Sequence, residues 1–316
     1  MIRIFLAFLL LMPLLGLAET WPARPVKLVT NFAPGSAPDV AARVIGRFLA
    51  EELRQPVVVD NRVGAAGNVG VEYVVRAAPD GYTLLYSPGS TITMNPHLYQ
   101  FDMQKELVPV AATSLSALPL VVRPDLPIHS VKDLIAYAKQ NPGKLTYGSS
   151  GTGSPLHVAA ELLLSGAGIK AVHVPYKGSA QTTNALLAKE VDFAFDAGVA
   201  SPHVKAGKLR YLAVASSARS PNYPGLPTVE EAAGFAVDVS VPSAVFAPPG
   251  TPAEIVIRLN QTIGRIMEKP EFREAVAVIN SSPPPAHLSP SEVAASFRAY
   301  TERFGTAIRA ANIPRQ

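Results

Sequence analysis

Short apolar runs alternate along the chain with segments whose apolar residues recur every three or four positions, and Pro- or Gly-containing turns separate the two kinds. The short runs predict strands over 26–30, 57–60, 82–86, 118–123, 145–148, 171–174, 193–196 and 209–215. The three-to-four spacing predicts helices over 40–53, 70–77, 131–139, 155–164, 252–267 and 290–310. The helix over 131–139 is stopped by Asn141-Pro142-Gly143. Strands alternating with helices give an α/β fold with largely parallel sheets. The stretches near 108–116 and 239–247 fall between well-patterned blocks and are the expected hinges. The expected division is therefore a discontinuous first domain, 19–112 with 244–316, and an inserted second domain, 113–243.

The N-terminus has a different pattern. Met1-Ile2-Arg3 is a short basic start, an apolar run covers 4–17, and Gly16-Leu17-Ala18 supplies small residues where a signal peptidase reads. This is the layout of a secretory signal peptide over 1–18, cleaved after Ala18. A membrane anchor would need about 20 apolar residues, and Pro13 interrupts this shorter run. The expected product is soluble and periplasmic.

Composition narrows the chemistry further. The chain has no cysteine, which excludes disulfides, thiolate metal sites and a lipid anchor on a terminal Cys. Cleavage after Ala18 removes Arg3 from 28 basic side chains and none of the 24 acidic ones, leaving an excess of about +3. The pI is 9.2, yet the charges are interspersed and no basic patch of the nucleic-acid-binding kind is present.

Two segments share one device, a strand leading through small residues into a helix start. In VKLVTNFAPGSAPD (26–39), Gly35, Ser36 and Ala37 leave the backbone uncrowded, Pro38 suits a first helical position and Asp39 falls in the first turn. In LTYGSSGTGSPLH (145–157), Ser154 is a candidate N-cap and Pro155 the next position. Unpaired N–H groups and the helix dipole make such loops anion sites, although ordinary capped helix starts have the same pattern. One loop from each domain, facing across a cleft, would grip a carboxylate.

Other chemistry fits less well. Gly64, Gly67 and Gly70, like Gly148, Gly151 and Gly153, lack dinucleotide spacing, and no phosphate-loop lysine follows either set. Ser149-Ser150 lacks the glycines of a nucleophile elbow. The six histidines show no metal-ligand spacing, and no nucleophile–base pair can be assembled from the sequence.

Taken in order, WPARPVKLVTNFAPG (21–35), VVVDNRVGAAGNVG (57–70), APDGYTLLY (78–86), YGSSGTGSPLH (147–157), HVPYKGS (173–179), KAGKLRYLAV (205–214), LPTVEEAAG (226–234) and FAPPGTP (246–252) resemble the Bug-type periplasmic receptors of tripartite tricarboxylate transporters. The resemblance implies a two-lobed, type II-like clamshell, each lobe a twisted sheet flanked by helices. It implies a monomer without cofactor or catalytic residues, holding a small organic carboxylate and handing it to a membrane permease. A sensor protein as the partner is the alternative, and a periplasmic hydrolase a remote one.

By the same resemblance the loops over 33–39 and 149–154 hold the carboxylate, and the segment over 192–198 helps choose its distal group. The candidate ligand-binding residues are Ala33, Pro34, Gly35, Ser36, Ala37, Asp39, Ser87, Ser149, Ser150, Gly151, Thr152, Gly153, Ser154, Tyr176, Asp196 and Ala197. Two departures stand out. The first loop has Ala37-Pro38 where the family has glycine and threonine, and Ala197-Gly198 follows Asp196 where relatives carry asparagine. The expected consequence is a bulkier or less polar distal group, such as an aromatic one.

Overall fold

The computed structural model describes residues 21–310 and 313–315, so the expected leader over 1–18 lies outside the described residues. In chain order the strands are β1 (Val26–Thr30), β2 (Val57–Asn61), β3 (Thr83–Ser87), β4 (Val108–Ser116), β5 (Pro119–Val122), β6 (Thr146–Ser149), β7 (Val172–Pro175), β8 (Phe193–Phe195), β9 (Arg210–Val214), β10 (Ser243–Ala247) and β11 (Ser281–Ser282). The helices are α1 (Ala37–Leu53), α2 (Asn68–Val75), α3 (Gly89–Leu98), α4 (Val131–Gln140), α5 (Pro155–Ala167), α6 (Ser179–Leu187), α7 (Ser201–Lys205), α8 (Val229–Ala233), α9 (Ala253–Glu268), α10 (Pro270–Ala277) and α11 (Pro290–Ala310).

The strands sort into two sheets, ordered β11-β4-β10-β3-β1-β2 and β7-β6-β8-β5-β9. Neither is as parallel as the alternating pattern suggests. The pairs β1–β2, β1–β3, β6–β7 and β6–β8 are parallel, whereas β10 runs antiparallel to β3 and β4, and β5 antiparallel to β8 and β9. The cause is the double crossing. The chain leaves the first sheet from the end of β4 and re-enters at that same edge, so β10 must run backwards. The stretches expected to be hinges are thus mostly strand, and Val110, Ala111, Val245 and Phe246 within them are fully buried. Small residues and Pro109 had disguised β4 as a connector.

Helix α1 illustrates how these elements are held. Ile45, Phe48, Leu49 and Leu53 lie one helical turn apart and are buried against the first sheet. Each such side chain contributes about 1.5–3 kcal/mol on leaving water. Phe48 meets Phe272 of α10 edge to face, with ring centroids 5.6 Å apart.

Helix α11 touches both halves. Phe297 packs in the core over the first sheet, edge-on to Phe246 at 5.3 Å. Two turns on, Phe304 and Ile308 join the core of the second sheet, together with Met94 and Leu98 of α3. Arg303 on the same helix pairs with buried Asp238 at 2.9 Å, in the segment returning to β10.

Candidate functional site

Thr30 lies opposite Asn61 on one side and Tyr86 on the other, so β1, β2 and β3 end at one level. Their loops, with the one after β6, lead into the starts of α1, α2, α3 and α5. Ligand sites of open α/β sheets lie beyond such carboxyl ends. Here the loops enclose a cleft of about 490 Å³. From the first half it is lined by Asn31, Phe32 and Ala33, by Val63 and the loop over 64–67, and by Ser90, Thr91, Met94, Asn95, Leu98 and Tyr99. From the second half come Ser150, Gly151, Thr152, Gly153, Ser154 and Pro155. Among the described residues lining it, none carries a formal charge.

The second-half loop is shaped by its glycines. Gly151 and Gly153 sit at φ of 125° and 76°, conformations that L side chains rarely adopt. A Cβ on Gly153 would also lie 2.9 Å from Leu98 Cδ1 of α3. Ser154 caps α5 by accepting the His157 N–H. The loop's own donors are partly engaged. Gly151 N–H points to Ser149 Oγ at 3.2 Å, and Gly153 N–H to His157 Nδ1 at 3.0 Å.

The first loop is more fully closed on itself. Gly35 N–H donates to Asp39 at 2.9 Å, Arg43 donates to the same oxygen at 2.9 Å, and Asn61 Nδ2 donates to the other at 2.8 Å and to Phe32 O. Burial alone would raise the Asp39 pKa, but the hydrogen bonds from Arg43, Asn61 and Gly35 outweigh it and hold the carboxyl below its ordinary value. Of this loop only Ala33 lines the cleft, while Pro34, Gly35, Ser36, Ala37 and Asp39 stand outside its lining.

The remaining candidates lie elsewhere. Ser87 is buried behind Asn31, accepting its Nδ2 at 3.1 Å and donating to Pro88 O. Ser149 is also buried. Tyr176 directs its hydroxyl to Glu190 at 3.3 Å. Asp196 is buried, accepting Ala200 N–H and the Tyr211 hydroxyl, the latter at 2.6 Å. Burial raises its pKa against the hydrogen bonds from Tyr211 and the backbone that follows. Ala197 is exposed, and a Cβ on Gly198 would fall 2.1 Å from Asn280 Nδ2. Gly198 is thus closely approached by Asn280 from the first half.

Sequence reasoning missed two components of the cleft. One is the loop over 64–67, where Gly64, Ala65, Ala66 and Gly67 all have positive φ (140°, 46°, 54° and 93°). Two alanines held this way cost about 1–2 kcal/mol each, strain of the kind that gathers at ligand sites. Asn95 Nδ2 and Asn31 Nδ2 hold the turn through Ala66 O and Gly67 O. The other is α3, whose sequence GSTITMNPHL has no amphipathic period. Asn31 is 1% exposed, and its Oδ1 has no partner among the described residues.

Behind the second-half loop lies a hydroxyl–imidazole contact that the sequence did not reveal, Ser149 Oγ to His173 Nε2 at 2.7 Å. Ser149 is fully buried and outside the cleft lining, whereas a nucleophile has to reach its substrate. Among the described residues no group of three or more His, Asp or Glu is placed to hold a metal, and no helix is long and apolar enough to cross a membrane.

Comparison with known proteins places this geometry. The chain matches the family described as tripartite tricarboxylate transporter family receptor over residues 41–293. It is 37% identical to protein BugT of Bordetella pertussis over 273 residues, 84% of this chain and 83% of that one. An R. palustris protein solved with adipate superposes with a TM-score of 0.80 at 33% identity, covering 94% of this chain and all of the other. MatC of Rhodopseudomonas palustris, solved with bound malate, gives 0.75 at 28% identity over 91% of this chain and all of its own. The two sheets with their flanking helices are thus the two lobes of a periplasmic binding protein fold. The chain belongs to the tripartite tricarboxylate transporter receptor family, in which the Bug proteins are its relatives.

Proposed function

We propose that this receptor binds a small organic carboxylate in the cleft between its sheets and presents it, in the periplasm, to the permease of a tripartite tricarboxylate transporter. The observation that carries the reading is the convergence of the starts of α2, α3 and α5 on a cleft without a charged lining residue. An anion there is held by backbone N–H groups, serine and threonine hydroxyls and helix dipoles. The adipate and malate bound by the two structural neighbours support the substrate class. Phe32, Met94, Leu98 and Tyr99 suit a ligand whose body is apolar.

We place the pivot at the connections 117–118 and 239–242, which moves 113–116 of β4 and Ser243 of β10 from the expected second domain into the first, where their sheet lies. Closure follows from a ligand that touches both walls, since it favours the closed form by its differential affinity. The absence of a charged lining residue argues against strong dependence of affinity on ionic strength.

A thermal-shift screen of residues 19–316 against adipate, malate and aromatic monocarboxylates tests this. A ligand at a hundredfold excess over its Kd stabilises by about 2.7 kcal/mol, a shift of several degrees. Hits confined to carboxylates are expected; hits confined to neutral or cationic solutes overturn the reading.

A further inference from the structure

Two imidazoles brace the second-half loop from behind, and neither belongs to the cleft lining. His157, on the first turns of α5, accepts the Gly153 N–H at its Nδ1, 3.0 Å away. His173, on β7, meets Ser149 Oγ through Nε2 at 2.7 Å, and Ser149 in turn bonds both the N–H and the carbonyl of Gly151. The rings stack on each other with centroids 3.9 Å apart and 8° between planes. The loop is thereby fastened at Gly151 by one ring and at Gly153 by the other.

From these contacts we infer that His157 and His173 form a single positioning unit for the loop over 150–154, whose hold at Gly153 lasts only while the His157 ring is neutral. The chemistry is restrictive. Gly153 N–H is a donor, so Nδ1 of His157 must be without its proton, and protonation would set two donors against each other. Charging both stacked rings would put two cations side by side in a buried place.

The groups facing the pair offer little compensation. Tyr147 of β6 stacks on His173 at 4.8 Å and gives its hydroxyl to Glu161. Glu161, one turn along α5, is 3.7 Å from His157 Nε2, too long for a hydrogen bond. From β8 only the uncharged Phe193 joins the stack. Burial, with the neighbouring His173 in second place, pushes His157 down to about 4, and burial lowers His173 as well. The loop's importance rests on the carboxylate-receptor reading, but its fastening can be measured without any ligand.

The test is hydrogen exchange of 150–157 in the full mature chain between pH 7 and pH 4, corrected for intrinsic rates and normalised to core strand β5. Histidine ring ¹⁵N shifts are recorded in parallel. Wild-type protection of the Gly153 amide is expected to fall about tenfold as His157 takes up its proton. His157→Asn keeps an acceptor near the Nδ1 position but cannot titrate, so its protection should vary by no more than about twofold across the range. His157→Phe should show weak protection at both ends of the range. The inference is overturned if wild-type protection stays flat while the ring protonates, or if His157→Phe protects the loop as wild type does. Should His157→Phe fail to fold, the wild-type profile and His157→Asn decide the matter alone. A protein that bound no carboxylate at all would leave these outcomes unchanged.

Discussion

The backbone N–H of Gly35 donates to the Asp39 carboxylate at 2.9 Å, so the first glycine loop carries an anion supplied by the chain itself. Arg43 and Asn61 complete the set. The dipole of α1 is thus already answered within the protein, and the first loop offers the cleft little beyond Ala33 and Phe32.

Replacing Asp39 with Ala should cost about 2–3 kcal/mol of stability, because three donors lose a charged acceptor at once. The pH dependence has a definite sign. A carboxyl held below its ordinary 3.8 stabilises the fold above that value and loses its contribution as the pH falls through the native value. Urea midpoints of wild type and Asp39→Asn, compared from pH 7 to pH 3, should converge on acidification.

Asp196 gives the opposite forecast from the one its position at a strand end suggests. Its carboxylate is committed to Ala200 N–H and the Tyr211 hydroxyl. Asp196→Ala should therefore lower stability by about 1–3 kcal/mol. Affinity for any carboxylate hit, measured by calorimetry on the folded variant, should change by less than about threefold, or roughly 0.6 kcal/mol. A much larger loss of affinity would return Asp196 to the binding site.

Gly153→Ala probes the approach of the two lobes. The added methyl meets Leu98 at 2.9 Å, at a φ of 76° that already disfavours alanine. The variant should be destabilised by about 1–3 kcal/mol. Leu98→Ala in the same chain should recover the steric part and leave the conformational part, which a double-mutant cycle separates.

Acid should weaken the fold through His157. In the unfolded chain this group titrates near 6.5 and in the native state near 4. Above pH 7 both forms are neutral and the group contributes nothing. Between the two values only the unfolded chain takes up the proton, so stability declines by an amount on the order of 3 kcal/mol. Denaturation midpoints of wild type should fall across that window, and those of His157→Asn should fall less.

Much of this was legible from periodicity. The runs at 26–30 and 57–60 are recovered in β1 and β2, and the helical spacing over 290–310 is α11 to the residue. What escaped has physical reasons. Helix α3 is nearly all buried, so with no wet face to mark it, GSTITMNPHL carries no period. The loop over 64–67 announces itself only through backbone angles, and its alanines give no hint of positive φ. Asp39 was legible as a first-turn carboxylate and Asp196 as one at a strand end, but the donors that claim them come from residues brought close only by folding, such as Asn61 and Tyr211. Ser149 and His173 are 24 residues apart, and parallel pairing of β6 with β7 brings them together.

Helix α11 has a consequence for how the chain is made. Phe297 completes one hydrophobic core and Phe304 and Ile308 another, and all three lie on α11, after every other element named above. During synthesis neither core can be sealed until α11 has left the ribosome, so the lobes mature together rather than one after the other. A chain released before Pro290 would leave both cores open along one side, exposing apolar surface on each half at once.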